Sequence, residues 1–326
     1  MSSALIQQAV ALLRAGRLVA FPTETVYGLG ADATDSAAVL RIFAAKGRPP
    51  TNPLIAHIAG VEQARRYARV WPPAADRLAT RFWPGPLTIV LPKAPCIAAE
   101  VSAGLDTVGL RCPRHPLALE LLAQFDGPIA APSANRSNRV SPTTADHVRS
   151  ELGNSVDLIL DGGPCEVGIE STVIDLSTPV PTLLRPGRVS LEELRNCLGE
   201  VAVRNQILSD QIASAAPGQN AIHYSPQTPC FRFEACDRPR IAQFATPNAI
   251  LILCGANGPA ADLTSRQPLV MPADPNAFAR HLYATLHAAD RRNAPAIYLE
   301  LPPNAPSWTA VRDRLFRAAR PITVPA

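Results

Sequence analysis

The stretch KGRPPTNPLIAHI at residues 46–58 gathers Lys46, Arg48, Asn52 and His57 around three prolines. Only two of the 31 basic residues are lysines, Lys46 and Lys93, so the pairing of Lys46 with Arg48 in a stiff loop asks for a reason. A planar guanidinium forks onto phosphate oxygens, and an ammonium adds a mobile point charge beside it. Pro49, Pro50 and Pro53 lower the entropy lost when such a loop is fixed. The same cations would equally suit the negative end of a helix that stops at residue 46. In LIAHI, strand alternation sets Ile55 and His57 on one face. His57 is then either a hydrogen-bonded core histidine or a ligand-facing one.

Five further segments have the same two-sided character. PTETVYG (22–28) brings Thr23, Glu24, Thr25 and Tyr27 together after a buried strand, where α/β folds form ligand crevices. It also reads as an ordinary threonine-rich turn. TVGLR (107–111) ends a strand in Arg111, which needs a carboxylate or phosphate partner and would accept a structural Asp or Glu. PSANRSNRVSPTT (132–144) supplies Ser133, Asn135 and Ser141, groups suited to a polar ligand or to capping the helix after Thr144. GIESTVID (168–175) and LLRPGRVS (183–190) set Ser171 and Arg185 at strand ends.

The usual phosphate and metal motifs do not fit. GLGADA (28–33) lacks the third glycine of a dinucleotide fingerprint, and no lysine follows the second glycine of GPCEVGIES (163–171) as a P-loop requires. No HExxH, GxSxG or metal-spaced His/Cys cluster occurs, so no metal ligands are assigned. Seven cysteines without a CxxC pair argue against a disulfide framework or a zinc site.

These residues must be positioned by elements, and the patterning says which. The chain has 326 residues, 47% hydrophobic and 18% charged, enough to bury a full core. Helical spacing covers 4–15, 36–46, 61–69, 74–82, 116–125 and 190–198. Strands are expected at 17–21, 54–58, 87–91, 107–111, 128–132, 157–161, 171–176 and 181–185. Strands so irregularly spaced predict an α/β fold with a twisted mixed sheet flanked by helices. Residues 1–208 form this domain, 209–229 read as a Ser/Ala/Gly/Pro linker, and 230–326 form a smaller Rossmann-like α/β domain. The latter has strands at 249–254 and 296–301 and helices near 275–289 and 307–320.

Residues 1–229 hold 20 basic and 20 acidic residues, whereas 230–326 hold 11 against 7. A sequence-independent nucleic-acid binder needs a dominant basic surface, which this balance does not supply, although a local patch stays open. No apolar run is long enough to span a bilayer and no signal peptide is visible, so a cytoplasmic location without membrane contact is expected.

Taken together, PTETVYGLGADA, KGRPPTNPLIAHI, TVGLRCP, APSANRSNRVSPT, GIESTVIDL and LLRPGRVS stand in the order and wording of the YrdC-like family. The chain resembles its long form, in which a linker joins a carboxy-terminal domain. The resemblance is specific over about residues 5–200, and HYSP (223–226) resembles the linker. It implies a nucleotidyltransferase that forms threonylcarbamoyl-adenylate and pyrophosphate from L-threonine, bicarbonate and ATP. A partner tRNA threonylcarbamoyl transferase would then use the adenylate.

By the family's pattern, Thr25, His57, Arg111, Ser171 and the backbone at Ala131 would hold threonine. Arg48, Asn52, Thr107, Ser133, Ser141, Arg185 and Tyr224 would hold ATP. Lys46 and Asn135 would lie near the phosphates or bicarbonate, with Lys46 and Arg48 in the catalytic role. Mg2+ would travel with the triphosphate. Between Pro217 and Tyr224 the sequence GQNAIH lacks the basic residues some relatives carry, so the linker is expected to act as a lid that excludes water. Two other readings remain in view: an RNA-binding module with direct tRNA contact, and the carbamoyl-adenylate chemistry of hydrogenase maturation. Members of that last group carry acylphosphatase and zinc-finger segments not seen here.

Overall fold

The computed structural model describes residues 3–204, 223–260, 263 and 267–322. The chain forms two compact units: residues 1–137 with 141–221, and residues 138–140 with 222–326. Most of the linker expected at 209–229, including GQNAI, lies outside the described residues.

Hydrophobic alternation builds the first unit. Its helices are α1 (Ser3–Arg14), α2 (Ser36–Lys46), α3 (Val61–Tyr67), α4 (Pro73–Phe82), α5 (Pro116–Phe125), α6 (Ala145–Leu152) and α7 (Leu191–Leu198). Its strands begin with β1 (Val19–Phe21), β2 (Gly28–Asp32), β3 (Ile55–His57), β4 (Leu87–Pro92) and β5 (Thr107–Arg111). They continue with β6 (Ile129–Ala130), β7 (Leu158–Ile159), β8 (Thr172–Asp175), β9 (Thr182–Arg185) and β10 (Ala202–Val203). These strands form one mixed sheet in the order β10-β9-β8-β4-β5-β3-β6-β2-β1-β7.

Side-chain parity decides what each face of the sheet does. Ala56, Leu87, Ile89, Leu91, Val108, Leu110 and Ile174 point into a core shared with Val39 and Ile42 of α2, Leu78 of α4, Val148 of α6 and Leu194 of α7. On the opposite face, α1 and α5 cover only the β1 and β6 end, packing Ile6, Leu13, Leu121 and Phe125 against Val19, Phe21 and Ile129. Beyond that cover, β4, β8 and β9 carry a small apolar patch of Val90, Val173 and Leu184. The part of the sheet beyond α1 and α5 holds the candidate site.

Two local features place the loops. Asp35 caps α2 by accepting from the Ala37 and Ala38 amides, and Gly47, at φ 61°, ends it, which turns the chain after Lys46. Thr144 caps α6 by accepting from the His147 amide, and so closes the polar loop that precedes it. The strand β2 lies within PTETVYGLGADA, read from sequence as loop. Its side chains are small, so it lacks an apolar alternation, yet it pairs with β1 and β6.

The second unit is a five-stranded parallel sheet. Its strands are β11 (Cys230–Phe233), β12 (Ile250–Cys254), β13 (Leu269–Met271), β14 (Ile297–Glu300) and β15 (Arg320–Pro321), in the order β13-β12-β14-β11-β15. Helices α8 (Arg238–Phe244), α9 (Pro275–Asp290) and α10 (Thr309–Ala318) accompany it. The parallel order with crossovers is the Rossmann-like arrangement expected. At the carboxyl ends of β12 and β14, Glu300 is fully buried. It pairs with Arg238 at 2.8 Å and accepts the Cys254 amide at 2.9 Å.

Candidate functional site

Strand register brings the first group together. β3 and β5 run parallel with His57 opposite Arg111 and Ile55 opposite Gly109. Alternation therefore sets His57, Gly109 and Arg111 on the face that α1 and α5 leave uncovered. Thr88 and Val173 are register partners across β4 and β8, and Ser171 lies two residues before Val173. The Thr88 and Ser171 hydroxyls meet at 2.8 Å. Arg185 donates to the Ser171 carbonyl at 3.0 Å and to its hydroxyl at 3.1 Å. A side chain at 187 would strike the Thr172 amide at 2.3 Å, so only Gly187 lets the RPG turn lie across this clamp.

Arg111 is buried, and its partner is Glu24, fully buried and 2.9 Å away. The contact is an ion pair without hydrogen-bond alignment, since neither terminal atom has a hydrogen-bonded partner. The other Glu24 oxygen accepts the Arg114 amide at 2.9 Å, and the Glu24 carbonyl accepts the Val167 amide at 2.7 Å. On either side, the Thr23 and Thr25 hydroxyls meet at 2.8 Å. Thr25 is completely buried. The Ala131 amide is committed to the Ile55 carbonyl at 2.9 Å, one strand from His57.

His57 is held neutral. Burial first, then the adjacent Arg111 charge, lowers its pKa to about 3, against the opposing pull of the Ile55 and Ile129 carbonyls. Its ring packs edge-on against Phe21. Its Nδ1 is buried with no hydrogen-bond partner among the described residues. A neutral buried nitrogen left without a partner is costly unless a ligand meets it.

A second group surrounds Lys46. Its buried amine donates to the Ser133 carbonyl at 2.5 Å and to the Asn135 carbonyl. The Lys46 carbonyl accepts the Ser137 amide at 2.8 Å. Lys46 thus fastens the SAN segment by both ends. Burial, then the Arg48 charge, pushes its pKa well below the usual lysine range. Arg48 closes its own loop, donating to the Asn52 carbonyl at 3.2 Å and the Pro53 carbonyl at 3.0 Å. Asn52 is buried there. Ser141 donates at 2.6 Å to Glu170, the residue before Ser171.

Thr107 lies four residues before Arg111 on β5, roughly 13 Å along the strand. It lines a narrow cleft together with Pro53, Ile55, Thr88, Val90, Gly109 and Val173. Tyr224 belongs to the second unit, stacked on Tyr283 and beneath Arg314. Thr25, His57, Arg111, Ala131, Ser171 and Arg185 therefore share one region of the sheet, and Lys46, Ser133 and Asn135 form a bonded cluster.

Thr88 and Glu170 escaped the sequence reading, and Glu24 was named in the PTETVYG segment without a role of its own. The need of Arg111 for a carboxylate pointed to an acid without saying which one. Thr88 sat unremarked in the apolar run LTIVL, although parity puts it on the Val90 face.

Among the described residues no three His, Cys, Asp or Glu side chains are placed to hold a metal ion. No helix among the described residues is long and apolar enough to cross a membrane.

Comparison with known proteins bears on this arrangement. Residues 11–187 match a family described as telomere recombination, Sua5/YciO/YrdC, and residues 189–320 match one described as the carboxy-terminal domain of threonylcarbamoyl-AMP synthase. The chain is 42% identical to a threonylcarbamoyl-AMP synthase of Pyrococcus abyssi, over 96% of this chain and 94% of that one. It is 36% identical to a Schizosaccharomyces pombe protein of the same name, over 92% and 84%. A crystal structure of P. abyssi Sua5 complexed with L-threonine superposes with a TM-score of 0.87 at 38% identity, covering 97% of this chain and 95% of that one.

Proposed function

The chain belongs to the Sua5/YciO/YrdC family in its long, threonylcarbamoyl-AMP synthase form, and on that premise we propose how its residues divide the work. The protein is a nucleotidyltransferase that makes L-threonylcarbamoyladenylate and pyrophosphate from L-threonine, bicarbonate and ATP. The observation that carries the residue assignment is the buried, unpartnered His57 Nδ1 opposite Arg111 on the uncovered half of the sheet.

In this reading Arg111 receives the threonine carboxylate, and neutral His57 with Thr25, Ser171 and the Ala131 backbone orients the rest of the amino acid. The carbamate oxygen attacks the α-phosphorus, a P–O bond forms, the α–β P–O bond breaks and pyrophosphate leaves. The nucleophile belongs to the substrate, so the protein needs only to align it and to balance phosphate charge. Arg48, Asn52, Thr107, Ser133, Asn135, Ser141 and Arg185 would hold ATP. Lys46 acts through the Ser133–Asn135 backbone that it fixes, with Arg48 beside it.

Mg2+ would arrive on the triphosphate, still largely hydrated. That ion would supply charge neutralisation on the leaving pyrophosphate. Residues 1–208 would carry the reaction, and 230–326 would form the appended domain. The labile product calls for hand-over to a tRNA threonylcarbamoyl transferase in the cytoplasm, with direct tRNA contact at most through a local patch.

Pyrophosphate release from ATP, measured with and without threonine and bicarbonate, tests the reading. Release should require both, and threonine-independent release would overturn it. Threonine-independent, salt-sensitive tRNA binding without pyrophosphate release would favour the RNA-module reading instead.

A further inference from the structure

We propose that Glu24 is a positioning residue for the amino-acid site, holding Arg111 so that its remaining N–H groups face the substrate carboxylate. The inference rests on the proposed function for the identity of the substrate.

Glu24 ties together the segments that carry the site. Its carboxylate lies 2.9 Å from the Arg111 guanidinium and accepts the Arg114 amide at 2.9 Å. Its carbonyl accepts the Val167 amide at 2.7 Å, four residues before Ser171. A single fully buried residue therefore joins the PTET turn, the end of β5 and the loop that leads into β8.

Arg111 depends on this hold. Among the described residues, its guanidinium makes besides Glu24 one long hydrogen bond, Nε to the Gly85 carbonyl at 3.4 Å. A guanidinium held at one edge by a carboxylate still presents donors on the other, and its planar fork demands that orientation for bidentate recognition. Register places Arg111 opposite His57. An amide at position 24 would fill the same volume, but would remove the charge that fixes the fork and leave Arg111 buried without a counter-ion.

The test is a set of threonine and ATP titrations with pyrophosphate-release kinetics on the full chain, comparing wild type with Glu24→Gln and Glu24→Asp. Glu24→Gln should weaken threonine binding about tenfold to hundredfold, the scale of a misplaced substrate-orienting group. ATP affinity should move by less than about threefold, which a merely structural defect would not spare. Glu24→Asp, which keeps the charge but withdraws it by one methylene, should fall between the two. In an Arg111→Lys background, Glu24→Gln should change kcat/KM for threonine by less than about threefold, because the fork it positions is gone.

Unchanged threonine affinity in folded Glu24→Gln would overturn the proposal, as would equal losses in both backgrounds. Should the Gln variant fail to fold, unchanged threonine affinity in Glu24→Asp overturns it alone. Failure of the wild type to bind threonine at all would instead defeat the functional reading.

Discussion

His57 and Arg111 are register partners on adjacent parallel strands, a neutral imidazole opposite a permanent cation on the uncovered face of the sheet. The cation is one reason the imidazole stays neutral. An amino-acid carboxylate at Arg111 would thus meet, in His57, a hydrogen-bonding neighbour whose charge does not change near neutrality.

The first prediction concerns pH. The His57 pKa is about 3 in the folded state and near its ordinary value of 6.5 when unfolded. Between these values the unfolded chain binds a proton that the folded chain refuses, so stability rises with pH across that window. His57 alone should remove about 1.4 kcal/mol of stability for each pH unit below 6.5, until its folded pKa is reached. Its contribution is complete above 6.5. Denaturation midpoints of wild type and His57→Gln between pH 4.5 and 7.5 check this: the slope should flatten in the variant. Threonine affinity should carry no His57 titration between pH 6 and 8.

The second concerns the Ser171 clamp. Ser171→Ala removes a hydroxyl that both Thr88 and Arg185 contact, leaving two buried polar partners short. A cost of about 1–3 kcal/mol is expected. The KM for threonine should rise with the ATP KM less affected, as steady-state kinetics would show.

The third concerns the cleft. A Cβ at residue 109 would lie 3.0 Å from the Thr88 methyl, on the face where ligand access is expected. Gly109→Ala should cost about 1 kcal/mol or more in stability, because a packed site must shift to admit it. It should also narrow the cleft enough to raise the ATP KM. Circular-dichroism melts alongside kinetics separate the two effects.

Sequence legibility followed physical cause. α2 and α5 match their expected spans because apolar spacing and terminal Gly47 or Pro116 mark them locally. β2 did not announce itself, since a strand of Gly, Leu, Gly, Ala and Asp takes its identity from its neighbours. His57, Arg111 and Ser171 stood out as polar residues on or beside apolar strands. Glu24 did not, because a carboxylate in a threonine-rich turn looks solvated until the fold buries it. The cluster at Lys46 was legible in composition but not in wiring: donation to backbone carbonyls leaves no side-chain signature.

The fourth prediction lies in the second unit. The buried Glu300 carboxylate answers Arg238 and the Cys254 amide at the strand ends. Glu300→Gln leaves Arg238 buried beside a neutral amide, a loss of about 3–5 kcal/mol. Calorimetry should show a transition lowered in temperature for this variant. The conservative Glu300→Asp should lower it less.

The last prediction separates two roles for Lys46. Direct phosphate contact would leave the Ser133–Ser137 backbone indifferent to the side chain, whereas the structure has the amine donating to the Ser133 and Asn135 carbonyls. Lys46→Met keeps the apolar stem and removes the donors, leaving those carbonyls to find other partners at about 1–3 kcal/mol each. Amide exchange at Asn135 and Ser137 should accelerate, and kcat should fall about a hundredfold as the loop loses its placement. Arg48→Ala, which removes the bonds to the Asn52 and Pro53 carbonyls, should leave exchange at 135–137 close to wild type. Exchange mass spectrometry on both variants decides the matter: a Lys46→Met protein that loses activity with its 133–137 amides still protected would make Lys46 a phosphate ligand rather than a fastener.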